Sequence, residues 1–251
     1  MLGWRGRIGL IMPANNTVIE PELYGLDLEG VTLHSARVLG SLGGDSTIEG
    51  LKAVVNGVDA AIESLAVGGV DIIAYACLST SLVNDDWEDR FRERVATIAG
   101  VPALTAFQAT VDVVRALRVE APLILTPYGK RIHELVEPKL VAQGVQPVGC
   151  CSLEITGLRD VCRTPSDQVY RQARLLVHES ARPVGALAIF ATDLQTLAIL
   201  PTLRRDLDMP VVSTNQALIV EICRSLGIAL PDAQPELCLR EQRNRPEELQ
   251  T

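Results

Sequence analysis

Short apolar runs alternate along the chain with longer stretches in which apolar positions recur at a helical period. The runs are typical of buried strands and the periodic stretches of amphipathic helices. Eight strands are predicted, at 7–13, 31–38, 70–76, 101–105, 121–127, 145–153, 184–190 and 209–214. Helices are predicted from position 18 and over 46–67, 84–99, 107–119, 129–142, 165–180 and 215–227. This alternation predicts an α/β protein of parallel sheets flanked by helices.

The second half of the chain repeats landmarks of the first half at a constant spacing. A strand-ending proline, a glycine-valine pair that opens a strand, and the residue that follows a buried strand each recur after 114 positions. These landmarks are Pro13 and Pro127, the pairs at 30–31 and 144–145, and Cys77 and Ala191. Such a repeat predicts two duplicated lobes.

Farther on, "PALTAFQA" at 102–109 corresponds to "PVVSTNQA" at 210–217, but with a spacing of 108 that implies a short deletion. We predict two lobes related by a pseudo-twofold axis, with the active site in the cleft between them. The first lobe is assigned to 1–116, the second to 117–230, and a polar tail to 231–251. The closing helix of the second lobe is expected to be able to pack on the first.

Composition and charge exclude several classes of protein. Apolar residues make up 47% of the 251 positions, which is enough for a packed core. A net charge of −8 without a basic run argues against a nucleic-acid partner. No apolar run has the roughly 18 residues of a membrane span, and no signal peptide is recognisable, so a cytoplasmic protein is predicted. The six cysteines lack metal-ligand spacing, so no metal site is expected.

Polar side chains follow the predicted strands of both lobes. Ligands bind beyond the carboxyl ends of parallel strands, so the loops at 13–17, 77–81, 126–130 and 191–196 are expected to line one cleft. They carry Asn15, Asn16, Thr17, Ser79, Thr80, Ser81, Thr126, Tyr128, Thr192, Asp193 and Thr196. Neutral donors of this kind, together with loop amides, favour a carboxylate ligand.

Cys77 ends the buried run "VDIIAYA" and begins a loop rich in hydroxyl groups. It is either one more small core residue or a reactive thiol. Dense hydrogen-bond donors lower the pKa of a thiol from about 8.5, so a thiolate is predicted here. Such a group acts as nucleophile, general base or, once protonated, general acid. His34, His133 and His178 are predicted to be structural or exposed.

Five segments resemble the aspartate/glutamate racemase superfamily, most closely its maleate cis-trans isomerase and arylmalonate decarboxylase branches. They are "IMPANNTVIEPE", "YACLSTS", "TPY", "GCCSLEITGL" and "PVVSTNQAL", and the resemblance extends over about 5–228. It implies a two-lobed enzyme without metal or cofactor that acts on a small carboxylate or dicarboxylate. It also implies a homo-oligomer.

The resemblance assigns roles to individual positions. The first cysteine of the isomerases, which is thought to add to the double bond of the substrate, falls on Cys77. Their second cysteine falls on Ala191, and a further asparagine falls on Leu158. The positions implied to bind substrate are Asn16, Leu78, Ser79, Thr80, Tyr128, Thr192 and Asp193.

Alanine at position 191 leaves several functions open. The first hypothesis is a dicarboxylate isomerase in which Cys77 adds to or deprotonates the substrate. A carboxylate base at Asp193, two residues beyond Ala191, is a separate and less favoured alternative. The second is a decarboxylase of substituted malonates, because protonating one face of an enediolate needs one donor. A racemase is third, and a carboxylate-binding protein without activity is the alternative outside enzymes. Ala191 is explained in either of two ways. The natural enzyme has a single catalytic cysteine, or a second cysteine at this position has been replaced by alanine to trap a substrate or intermediate.

Overall fold

The computed structural model describes residues 1–39, 47–230 and Leu237, so the rest of the predicted tail lies outside the described residues. The first sheet consists of β1 (Gly6–Pro13), β2 (Val31–Val38), β3 (Ile72–Tyr75) and β4 (Ala103–Thr105), in the order β2-β1-β3-β4. The second consists of β5 (Pro122–Tyr128), β6 (Gly149–Ile155), β7 (Ala186–Ile189) and β8 (Val211–Ser213), in the order β6-β5-β7-β8. All pairs are parallel, which confirms the predicted two-lobed α/β architecture.

Helices and two 3-10 turns connect the strands. The first lobe holds α1 (Ile19–Tyr24), α2 (Ile48–Val54), a 3-10 turn (Val55–Gly57), α3 (Val58–Val67), α4 (Leu78–Val83), α5 (Trp87–Ile98) and α6 (Ala106–Ala116). The second holds α7 (Lys130–His133), α8 (Val136–Ala142), α9 (Leu158–Arg163), α10 (Ser166–His178), a 3-10 turn (Leu197–Ile199), α11 (Leu200–Leu207) and α12 (Thr214–Ser225). None of the helices in the described part of the chain is long and apolar enough to cross a membrane.

The registers of the two sheets repeat at the spacing seen in the sequence. Ile8 pairs with Ile72 in the first lobe, and Pro122 pairs with Ala186 in the second, 114 positions later on both strands. The change to 108 falls between β7 and β8, where α11 and a 3-10 turn stand in place of α4 and α5. The deletion therefore removes a helix that follows the strand end in the first lobe.

The last helix of each lobe begins with the same cap. The hydroxyl of Thr105 accepts a hydrogen bond from the N–H of Gln108, and the hydroxyl of Ser213 accepts one from the N–H of Gln216. These two helices, α6 and α12, pack on each other, and α12 also contacts β3 and β4 of the first lobe. One apolar cluster contains strand residues of both lobes, so the lobes share a core.

Several elements differ from the prediction. The helix expected over 46–67 is interrupted at Gly57, because glycine disfavours a helical interior. The loop expected at 77–81 is instead largely the helix α4. It was not predicted because serine and threonine, which make up half of its sequence, have a low helix propensity. Packing of Leu78 and Leu82 in one cluster with Tyr128 of the second lobe holds that helix. The helices α9 and α11 were not predicted, and the single helix expected over 129–142 is divided into α7 and α8.

Candidate active site

Cys77 lies between β3 and α4, and its side chain is only 4% exposed. Its Sγ accepts a hydrogen bond from Thr80 Oγ1 at 3.1 Å and lies 3.4 Å from Ser79 Oγ. Because a threonine hydroxyl has one proton, the Tyr75 hydroxyl, 2.9 Å from Thr80 Oγ1, must donate to Thr80. A chain of two hydroxyl groups therefore ends on the sulfur atom.

Aromatic packing holds the start of this chain. Tyr75 is fully buried, and its ring centroid lies 4.9 Å from that of Trp87 and 5.4 Å from that of Phe91. Contacts of this kind stabilise a ring in one orientation. The hydroxyl of Tyr75 is thus fixed against the first turn of α4.

Burial raises the pKa of the Cys77 thiol, so the prediction of a thiolate was wrong. Hydrogen bonds from the side chains of Ser79 and Thr80 and from the Thr80 backbone lower this pKa, as expected, but their effect is smaller than that of burial. The charge of Asp193 raises it further. The thiol is therefore neutral at pH 7 and needs a proton acceptor before it can act as a nucleophile.

Replacing Thr80 by valine is expected to raise the pKa of Cys77 further, because the sulfur loses a hydroxyl donor. The measurement is the pH dependence of alkylation of Cys77 by iodoacetamide, followed by peptide mass spectrometry. The Tyr75 hydroxyl loses its partner as well, which should cost roughly 1–3 kcal/mol of folding free energy. Thr110→Val is the matched control, since this buried hydroxyl bonds only the carbonyl of Ala106 in its own helix. A midpoint that is the same in both variants would contradict the proposed hydroxyl chain.

Ala191 occupies the position in the second lobe that corresponds to Cys77 in the first. It is fully buried and follows β7 by two residues, as Cys77 follows β3. The next residue joins the lobes, since Thr192 Oγ1 donates to the carbonyl of Ala76 at 3.2 Å. Both predicted catalytic positions therefore lie where residues 76–77 of the first lobe meet residues 191–192 of the second, a contact called the interlobe seam below. Position 191, however, offers only a methyl group.

Asn16 reaches this seam from the first lobe and is 2% exposed. Its Nδ2 lies 3.2 Å from both the carbonyl and the hydroxyl oxygen of Thr192 and donates to them. Its Oδ1 accepts hydrogen bonds from the N–H groups of Val18 and Ile19 at 3.0 and 3.2 Å. The Asn16 side chain therefore joins the loop after β1 to the loop after β7. A ligand that binds the Asn16 amide group must share it with Thr192.

A half-buried carboxylate that the sequence analysis missed ties the same loop to the first lobe. Glu22 Oε1 accepts hydrogen bonds from the N–H groups of Thr196 and Leu197 at 2.5 and 2.9 Å, and Oε2 accepts one from Asn215 Nδ2 at 2.7 Å. Burial raises the pKa of Glu22, whereas these three bonds lower it. Asn215 also donates to the carbonyl of Thr192 at 3.2 Å. Residues 192–197 are thus held in position from two sides.

Tyr128 and Asp193 complete the site from the second lobe. Tyr128 is 7% exposed, and no hydrogen bond of the described residues uses its hydroxyl. Burial, followed by the charges of Asp193 and Cys77, raises the pKa of Tyr128 well above its usual range. Burial also raises the pKa of the partly buried Asp193 to about 6, against a smaller opposing effect of its own backbone N–H. The charge of Asp193 thus acts on both Tyr128 and Cys77, which places the three groups near one another at the seam.

Other predicted positions have less specific contacts. The Leu78 side chain is buried in the apolar cluster with Tyr128, so only its backbone is available to a ligand. Ser79 is partly exposed beside the sulfur. No group of three or more histidine, cysteine or acidic side chains in residues 1–39 and 47–230 could hold a metal ion.

A second thiol also lies in the cleft. Cys162 of α9 donates to the carbonyl of Asn15 at 3.4 Å. Burial and the charge of Asp193 raise its pKa, and hydrogen bonds with Thr17 lower it. No spacing or motif in the sequence indicated this position, because it depends on a helix that was not predicted.

Comparison with known proteins identifies the family. The model of the arylmalonate decarboxylase family matches residues 8–236, nearly the whole chain. The protein belongs to the arylmalonate decarboxylase family. Its relatives include a maleate isomerase from Nocardia farcinica, 29% identical over 241 residues that cover 90% of this chain and 93% of the relative. The arylmalonate decarboxylase of Bordetella bronchiseptica is 25% identical over 221 residues, which cover 88% of this chain and 90% of that one.

A solved structure extends the similarity to the level of the fold. A cysteine-to-serine mutant of the Nocardia farcinica maleate cis-trans isomerase, with a covalently bound succinylcysteine intermediate, superposes with a TM-score of 0.81. The two chains are 28% identical, and the match covers 92% of this chain and 98% of the other. This relative therefore shares the two-lobed fold.

Proposed function

We propose that the protein is a cysteine-dependent isomerase of a small cis-dicarboxylate, of the maleate isomerase type, that works without a cofactor. The observation that carries the proposal is the Cys77 thiol at the interlobe seam, with hydroxyl donors on its own lobe and with Tyr128 and Asp193 on the other. Maleate isomerases among the relatives, and the succinylcysteine seen in one of them, support it.

The chemistry follows from the position of the sulfur. Cys77 Sγ adds to one olefinic carbon of the substrate, the carbon–carbon bond becomes single and rotates, and elimination of the sulfur gives the trans isomer. The hydroxyl groups of Ser79 and Tyr128, which have no strong acceptor among the described residues, are proposed to hold the substrate carboxylates. Asn16 and Thr192 are proposed to assist through the amide and hydroxyl that they share. Ala191 leaves the opposite side of the substrate without a thiol.

Conversion of maleate to fumarate is the direct test. Purified protein is incubated with maleate and fumarate is measured, with Ala191→Cys alongside. We expect the unaltered protein to form fumarate and the variant to form it at a similar or higher rate. No fumarate from either protein, together with no succinyl adduct on Cys77, would contradict the proposal. Thermal stabilisation by dicarboxylates without turnover would then favour a binding protein.

A decarboxylase of substituted malonates is the second candidate, and the neutral state of Cys77 favours it. A thiol whose pKa is raised by burial remains a proton donor at pH 7, as protonation of an enediolate requires. The proton would come from the first lobe, so the product should have the opposite hand to that of enzymes whose cysteine lies in the second lobe. Release of carbon dioxide from an aryl- or alkylmalonate, but not conversion of maleate, would decide for this activity. That the protein forms a homo-oligomer and is located in the cytoplasm remains a prediction.

A further inference from the structure

A carboxylate lies close to the position at which the second thiol is absent. Asp193 follows Ala191 by two residues on the loop that Glu22 and Asn16 hold in place. No ion pair of the described residues includes Asp193. Burying a carboxylate without a cation is costly, and such groups cluster at functional sites.

The chain segments that carry this carboxylate and the reactive thiol are in direct contact. Thr192 Oγ1 donates to the carbonyl of Ala76 at 3.2 Å, and Asp193 and Cys77 are the next residues along the two segments. Hydrogen bonds from Asn16 and Asn215 hold Thr192 from the other side. The segments that carry Asp193 and Cys77 are therefore held side by side at the seam, and the charge of Asp193 acts on the thiol.

The titratable groups on which the charge of Asp193 acts come from three elements. They are Cys77 before α4, Tyr128 of β5 and Cys162 of α9, and none of them is cationic. All three have raised pKa values and are neutral at pH 7, whereas Asp193 has a pKa of about 6 and is ionised. Asp193 is thus the base of this cluster.

We propose that Asp193 is the proton-transfer partner of Cys77 and takes the place of the second cysteine. The proposal rests on the proposed isomerase function and concerns its addition step. Asp193 accepts the thiol proton while the sulfur bonds one olefinic carbon and the π electrons move to the neighbouring carbon. Protonated Asp193 then gives its proton to that neighbouring carbon, which yields the S-succinyl adduct.

The reverse sequence completes the reaction with every proton balanced. After rotation about the new single bond, Asp193 removes a proton from the carbon that it protonated. The electron pair forms the trans double bond, the carbon–sulfur bond breaks, and the leaving thiolate recovers its proton from Asp193. No oxidant, reductant or further reactant is consumed.

Asp193→Asn, which keeps the shape of the side chain but removes its basicity, tests this role with maleate as the probe. We expect kcat to fall about 100-fold or more, the usual size of a lost general acid–base group. Activity of the unaltered protein should rise with pH through about 6, and the residual activity of the variant should lack this rise. Asp193→Glu should retain it, and Asp167→Asn on the exposed face of α10 should behave as the unaltered protein. A kcat within a few-fold of normal, with the same pH profile, would overturn the proposal.

A second readout does not depend on the substrate. The ultraviolet absorbance of the Cys77 thiolate, taken as the difference from Cys77→Ser, is titrated with and without Asp193→Asn. The midpoint should fall in the variant, because a neighbouring negative charge disfavours the thiolate. An unchanged midpoint would overturn the pairing of the two residues. A lowered midpoint in a protein that does not convert maleate would support the pairing and count against the isomerase function instead.

Discussion

Replacing Cys77 by serine should abolish the conversion of maleate, with a loss of kcat on the order of 10,000-fold or more. A serine hydroxyl remains protonated at neutral pH and is a weak nucleophile without strong activation. The substitution keeps a polar group in contact with Thr80, so the free energy of unfolding should change by less than about 2 kcal/mol. Initial rates of fumarate formation and urea unfolding measure the two effects.

Cys151→Ser is the control for this substitution. Cys151 lies on β6 of the second lobe, pairs in register with Leu125, is partly buried and has a raised pKa, but no hydrogen bond among the described residues joins its side chain to the seam. It should leave kcat within about twofold of the unaltered protein. A Cys77→Ser protein that is folded and still forms fumarate at a substantial rate would exclude Cys77 as the nucleophile.

Removing the carboxylate of Glu22 should have the largest effect on stability. In Glu22→Ala, the N–H groups of Thr196 and Leu197 and the amide of Asn215 lose their acceptor at a buried position. Unpaired buried donors of this kind cost about 1–3 kcal/mol each, so a loss of roughly 3–5 kcal/mol is expected in urea unfolding. Hydrogen exchange over 192–197 should accelerate, and turnover should fall because Asp193 is released from the seam.

Glu20→Ala provides a control on the same helix. Glu20 forms an ion pair with Arg37, whose side chain is 38% exposed, so the substitution should cost less than about 1 kcal/mol. Exchange over 192–197 should remain as slow as in the unaltered protein. Equal destabilisation by the two substitutions would show that Glu22 does not hold the loop.

The sequence predicted the architecture well because its signals are periodic and duplicated. Apolar runs indicated buried parallel strands, and the spacing of 114 positions paired Cys77 with Ala191 before any contact was known. The capping residues Thr105 and Ser213 show why the repeat is reliable. A hydroxyl side chain stands at the corresponding position of each lobe and caps the corresponding helix. These features depend on residues that are close to one another in the sequence, so they can be recognised without the structure.

The polar contacts of the seam could not be predicted in the same way. Glu22 and Asn215 meet across 193 positions, and only the docking of the two lobes brings them together. The position of Cys162 depends on α9, a six-residue helix with too few positions to show a period. For Cys77 the donors were visible in the sequence, but the depth of burial that outweighs them was not.

The most direct test of the account is the covalent state of Cys77 during turnover. The protein is mixed with maleate, quenched rapidly with acid, digested and analysed by peptide mass spectrometry. We predict a succinyl group on the peptide that contains Cys77, and none on that peptide in Cys77→Ser. Fumarate formation without an adduct on Cys77, or with adducts confined to other cysteines, would contradict the central claim that this thiol adds to the substrate.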